Sequence, residues 1–264
     1  MPRATNDGTG IEYAVEGEGE TVVSIPDLGY GPWACAWQHA ALAGPFESVV
    51  LAPRGTARSD APPGPYSVSD LAADVEAVLA DHGSSRTHLI GAGLGGTAAL
   101  SYALTHSRAR SLALIGTTPG GALASLPDDP RDGMYAPRDD PEGLRESLAP
   151  VLTDGFRAEM PDVVEGIVEW RAGEDADRGG WEAQEAALLE FDASDRLHEV
   201  TLPALVVHGT EDAVVPVENG RLLAEGLPRG EFVGIDGGPH LVGIERSRAV
   251  NDELVDFLNE LSSE

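Results

Sequence analysis

The stretch Thr87-His-Leu-Ile-Gly-Ala-Gly-Leu-Gly-Gly-Thr-Ala-Ala-Leu100 reads as a strand feeding straight into a helix through a turn with glycine at 91, 93, 95 and 96. Such a density of glycine marks a turn where backbone approaches backbone or where φ is positive. Two readings are open. As Gly91-x-Gly93-x-x-Gly96 the turn matches the fingerprint that brings a dinucleotide pyrophosphate onto a helix N-terminus. That fingerprint also calls for an acidic residue about 20 positions onward. Residues 97–127 contain neither Asp nor Glu, although acids crowd the rest of the chain, so dinucleotide binding stands as a remote alternative. As Gly91-x-Gly93-x-Gly95 the turn has the spacing of a nucleophile elbow, too tight for flanking side chains and strained at its central residue. That central residue is glycine.

Outward from the turn, short β-rich runs alternate with amphipathic segments of helical length. The strand candidates are Thr21–Ile25, Ser48–Ala52, Thr87–Ile90, Ser111–Ile115, Ala204–Val207 and Glu231–Ile235. Between the second and third, Leu71, Val75, Val78 and Leu79 fall on one helical face and Gly83 can end the helix, which completes a βαβ unit. Helices are also expected from about Gly95 to Thr105 and from about Ser247 to Leu261, the latter with Val250, Leu254, Val255 and Leu258 at helical spacing. The alternation predicts an α/β fold, a doubly wound and mostly parallel sheet. It breaks over residues 123–199, where a Pro- and Asp-rich stretch is followed by helical patterns without β-rich runs. Since the strand–helix rhythm resumes at Leu202, the expectation is one domain over 1–264 with a helical lid inserted at 123–199.

The chain has 264 residues, and 45 Asp+Glu against 17 Lys+Arg give a formal net charge of −28. All the cationic residues are arginine. Nucleic acid and anionic membranes are disfavoured as partners, because binding them relies on cations that displace counterions. Dense like charge is tolerable where salt screens it over a few Å, so the composition reads as that of a halophilic protein. Cys35 is the single cysteine, which excludes an internal disulfide and a paired-thiolate metal site. His39, His82, His88, His106, His198 and His208 show no metal-ligand spacing, and neither a metal nor another cofactor is expected. With no apolar signal core at the start and no long apolar run, the protein is expected to be soluble and cytoplasmic.

Four segments in order carry a resemblance: Arg54-Gly-Thr-Ala-Arg-Ser-Asp60, the glycine turn, His208-Gly-Thr-Glu-Asp-Ala-Val-Val-Pro216 and Asp236-Gly-Gly-Pro-His-Leu241. Through them nearly the whole chain resembles the α/β-hydrolase superfamily, and within it the small esterase and enol-lactonase branch. The resemblance implies that Asp212 is the triad acid, His240 the triad base, and Gly93 the position of the serine nucleophile, here vacant. It further implies an oxyanion hole with Leu28 and Leu94 as backbone donors. Where the family usually has His-Gly, this chain has Pro26-Asp27. An ionised Asp27 pointing inward at about 5 Å would oppose a developing oxyanion by roughly 3 kcal/mol at an effective dielectric of about 20; the other orientation faces solvent.

Without a serine, acyl-enzyme hydrolysis is not supported, since losing a triad nucleophile costs on the order of 10⁶ in turnover. Three readings follow. Asp212 and His240 act as a general-base dyad on water or on a substrate proton. Alternatively, the protein is a catalytically silent homologue that encloses a small ligand, with glycine at 93 opening space at the helix N-terminus. A third reading makes Cys35 a replacement nucleophile, with Ser59 and Thr97 as weaker candidates. In each the partner is a small molecule, apolar and ester- or lactone-like. Trp33, Trp37, Trp170 and Trp181 are candidates for a pocket wall or simply for core.

Overall fold

The computed structural model describes residues 1–262. Its sheet has eight strands in the order β1-β2-β4-β3-β5-β6-β7-β8. The strands are β1 Arg3–Asn6, β2 Thr9–Glu16, β3 Thr21–Ile25, β4 Glu47–Leu51, β5 Thr87–Ala92, β6 Ala109–Ile115, β7 Ala204–Gly209 and β8 Gly230–Ile235. From β4 to β8 all neighbours are parallel; β2 runs antiparallel to both β1 and β4. The α/β fold and its doubly wound parallel core are thus as the sequence predicts. The β1–β2 hairpin was not among the expected strands. Asp7 and Gly8 form its loop, both at positive φ (46° and 88°), the pairing that lets a two-residue turn follow the strand twist.

Helices cover both faces: α1 Ala36–Leu42, α2 Val68–His82, α3 Leu94–Thr105, then α4 Asp128–Asp132, α5 Pro141–Glu146, α6 Asp154–Glu159, α7 Pro161–Glu174 and α8 Arg178–Glu190 between β6 and β7, and finally α9 Glu218–Gly226, α10 Val242–Glu245 and α11 Ser247–Ser262. Helix α2 starts at a reciprocal cap, with Ser67 and Asp70 each accepting the other's backbone N–H, and stops at Gly83 in the left-handed region. The two ends of the segment bearing α4–α8 meet at a bridge between Gly120 and Asp192. Its helices pack their apolar faces on the loops that leave the sheet: Leu144, Ile167 and Trp181 share one buried cluster with Leu28, Leu94 and Val215. Among the described residues no helix is long and apolar enough to cross a membrane.

One buried ion pair ties that segment to the loop after β3. Arg171, 1 % exposed, donates to Asp175 at 2.7 Å, to Ser147 at 2.7 Å and to the Met134 carbonyl at 2.8 Å. Asp175 in turn accepts from the Trp33 indole at 2.7 Å and from the Gly31 N–H at 3.3 Å. Both side chains of the pair are fully engaged, the condition under which a buried charge pair is tolerated, while the buried Tyr30 hydroxyl, whose ring lies under Arg171, has no hydrogen-bond partner.

Candidate active site

Adjacent parallel strands deliver the site. In the β3–β5 register Ile25 lies opposite Gly91, so Asp27 and Gly93, two residues further along each chain, emerge side by side at the carboxyl edge of the sheet. Ligand sites of open α/β sheets form along this edge. Gly93 caps the N-terminus of α3 with φ 47° and ψ −117°, a conformation strained for a residue with a side chain. The turn is as tight as its glycines imply: a Cβ at Gly95 would strike the carbonyls of Ile25 and Pro26.

Asp27 points inward and is 4 % exposed. Its Oδ1 accepts from the backbone N–H of Leu28 at 2.6 Å and of Leu94 at 2.7 Å. The two donors inferred for an oxyanion hole therefore do converge, and they converge on this carboxylate. Asp27 Oδ2 accepts from His240 Nε2 at 2.8 Å. On the other side of the ring His240 Nδ1 donates to Asp212 Oδ2 at 2.8 Å. Asp212 is fixed by the turn after β7, its Oδ1 accepting from the N–H groups of Val214 at 2.9 Å and Val215 at 2.8 Å. A Cβ built at Gly93 would coincide with Oδ1 and Cγ of Asp27, so the volume a nucleophilic side chain would occupy is filled from the neighbouring strand.

An alpha/beta hydrolase fold model matches residues 25–247. The chain belongs to the α/β-hydrolase family. A putative carbamate hydrolase, RutD, of Variovorax paradoxus is 29 % identical over 96 % of this chain and 97 % of its own length. A 2-hydroxy-6-oxononadienedioate/2-hydroxy-6-oxononatrienedioate hydrolase of Paraburkholderia phymatum is 31 % identical over 95 % of this chain and 91 % of its own. The enol-lactonase of Burkholderia xenovorans superimposes with a TM-score of 0.86 at 26 % identity, covering 98 % of this chain and all of the other.

Charge sets what this α/β-hydrolase site can do. Burial disfavours charge on His240, but Asp212 and Asp27 on its two ring nitrogens outweigh that and push its pKa up to about 10. Burial would raise Asp212, yet His240 and the neighbouring His208 hold it down at about 2. Carboxyl oxygens on both ring nitrogens favour the protonated form of His240. His208, near the end of β7, is fully buried; its Nε2 donates to the Val215 carbonyl at 2.7 Å and lies 3.4 Å from Asp212 Oδ2.

Of the remaining candidates, Cys35 lines a second cavity with Asp27 and His240. Burial pushes the Cys35 thiol up to about 12, so it supplies no thiolate. Ser59 donates to the Ala52 carbonyl and accepts the Glu12 N–H, and Thr97 donates to the Leu94 carbonyl within its own helix. The place a phosphate would take at the N-terminus of α3 holds the Asp27 carboxylate, which is incompatible with the dinucleotide reading. None of the four tryptophans lines the cavities that contain Asp27 and His240. On the side facing α4–α8 that cavity is about 10 Å³, the room of one water molecule, with Leu94, Leu126, Met134, Leu188, Val214 and Val215 in its wall. Its polar wall groups are already engaged: Thr117 donates to the Gly93 carbonyl, Thr118 to Asn219, and Arg131 to Asp128 and Glu185.

Proposed function

We propose that this α/β-hydrolase acts on small apolar molecules without a serine, through the array Asp27–His240–Asp212, with the helical segment 123–199 as the lid over the site. The observation that carries this reading is the placement of the Asp27 carboxylate in the nucleophile's volume, held by the Leu28 and Leu94 amides and by His240. The relatives point to small substrates, since those named above are a putative carbamate hydrolase, an enol-lactonase and a 2-hydroxy-6-oxononadienedioate/2-hydroxy-6-oxononatrienedioate hydrolase. The apolar wall of the cavity favours a substrate with little charge. An ordinary ester is a poor match, because the hole that would receive its carbonyl oxygen already holds an oxygen of the protein.

A fluorophosphonate probe in molar salt is expected to label no serine, while Asp27→Asn and His240→Gln should each abolish any hydrolysis found on a panel of esters, lactones, carbamates and epoxides. Labelling at a serine, or turnover indifferent to both substitutions, would overturn the proposal. The small cavity favours a second reading, a catalytically silent ligand-binding homologue. For that reading the panel gives thermal stabilisation by a ligand and no turnover.

A further inference from the structure

We infer that the amino edge of the sheet carries a second site, separate from Asp27–His240–Asp212, which binds a small zwitterion of the α-amino-acid class with its ammonium between Glu20 and His88 and its carboxylate at Arg86. The two sites lie at opposite ends of the same strands. Thr21 opens β3 and His88 is the second residue of β5, whereas Asp27 and Gly93 follow the carboxyl ends of those strands. At the amino edge a cavity of about 370 Å³, a volume in the range of small-molecule sites, is lined by Glu20, Glu47, Arg86, His88 and Arg110 among others.

His88 is the group that points to a ligand. Its side chain is 1 % exposed, and its Nε2 has no hydrogen-bond partner among the described residues. Nδ1 lies 2.7 Å from Ser111 Oγ, which fixes the ring, and Nε2 lies 3.9 Å from Glu20 Oε2, beyond hydrogen-bond reach. Buried polar atoms are ordinarily satisfied, so this nitrogen has capacity for a partner in the cavity. Burial holds the His88 pKa below the ordinary value, with Arg110 and Arg86 adding to the effect and Glu20 opposing it. The neutral ring is therefore favoured, and with Nδ1 donating to Ser111 it presents a lone pair at Nε2.

The charges left open set the class of ligand. Glu20 is bound by Arg110, and Glu47 accepts from the Thr21 hydroxyl at 2.8 Å. Arg86 is exposed and makes neither a hydrogen bond nor an ion pair among the described residues, in a chain where 45 acids face 17 arginines. A simple anion in this cavity would face Glu20 and Glu47, and a simple cation would face Arg86 and Arg110. A molecule bearing both charges meets both demands. Glu20 Oε2 and His88 Nε2 are spaced so that one ammonium nitrogen can donate to each at about 2.9 Å. The planar fork of Arg86 suits a carboxylate.

The test is equilibrium dialysis of the full-length protein in molar KCl against L-alanine, glycine betaine, acetate and methylammonium, with ring ¹⁵N shifts of histidine-labelled protein reporting where alanine binds. The expected result is saturable binding of alanine that moves the His88 resonances and leaves those of His240 in place. Acetate and methylammonium carry one charge each and betaine has no N–H, so each should bind at least about 10-fold more weakly than alanine. Arg86→Gln, at an exposed position, should weaken alanine at least about 10-fold, while Arg248→Gln, the same change of charge at another exposed position, should leave it unchanged. Absence of saturable alanine binding, any of the other three probes bound as tightly as alanine, a response at His240 instead of His88, or equal behaviour of Arg86→Gln and Arg248→Gln would each overturn the inference.

Discussion

Gly93 and Asp27 occupy complementary halves of one volume: the glycine vacates it, and the carboxylate from the adjacent strand enters it. A side chain at 93 and the present Asp27 rotamer exclude one another. The departure at the elbow and the departure at Pro26-Asp27 are therefore one structural change and not two.

Restoring serine alone should consequently fail. Gly93→Ser meets Asp27 Oδ1 and Cγ and sits at a backbone conformation costing about 1–3 kcal/mol for a residue with a Cβ, so it should be destabilised and inactive on p-nitrophenyl acetate. Gly93→Ser combined with Asp27→Gly clears the volume and frees both hole donors. The pair is expected to hydrolyse that ester at least about 100-fold faster than either single variant, a non-additivity read from initial rates.

Much of this was legible before the structure. The six apolar runs fall on β3–β8, and the helices after the second and third runs and at the end of the chain fall on α2, α3 and α11. Periodicity and glycine placement are local signals, and local signals position elements well. The β1–β2 hairpin lay outside the expected strands although Asp7-Gly8 is a recognised two-residue hairpin turn, a cue that could have found it. The orientation of Asp27 was open, because it depends on the β3–β5 register and on a missing side chain 66 positions away in the chain. The second carboxyl partner of His240 was equally hidden, because sequence order does not place Asp27 beside the ring.

The buried charges should weigh on stability. His240→Ala leaves Asp27 and Asp212 as buried carboxylates without their shared cation, with an expected loss of about 3–5 kcal/mol in urea unfolding. Adding Asp27→Asn to His240→Ala removes one of those charges and should recover part of the loss.

Stability should also depend on pH in two windows. The raised His240 contributes stability that is complete below about 6.5, the ordinary histidine value, and is lost as pH rises through about 10. The lowered Asp212 contributes stability present above about 3.8 and lost as pH falls through about 2. Urea midpoints across pH should fall at both ends, and His240→Gln should flatten the alkaline fall.

Salt should raise the melting temperature. A formal charge of −28 on 264 residues repels itself in dilute buffer, and molar salt shortens the screening length to about 3 Å. A melting temperature that fell between 0.1 M and 2 M KCl would contradict this expectation.

The most direct measurement is the titration of His240 itself, followed by the ring ¹⁵N shifts of selectively labelled protein. With Asp27 and Asp212 both bound to the ring, the imidazolium should persist at neutral pH and titrate near 10, and Asp27→Asn should move that midpoint down. A His240 midpoint near the ordinary 6.5, unchanged by Asp27→Asn, would mean that Asp27 does not reach the ring, and would contradict the account.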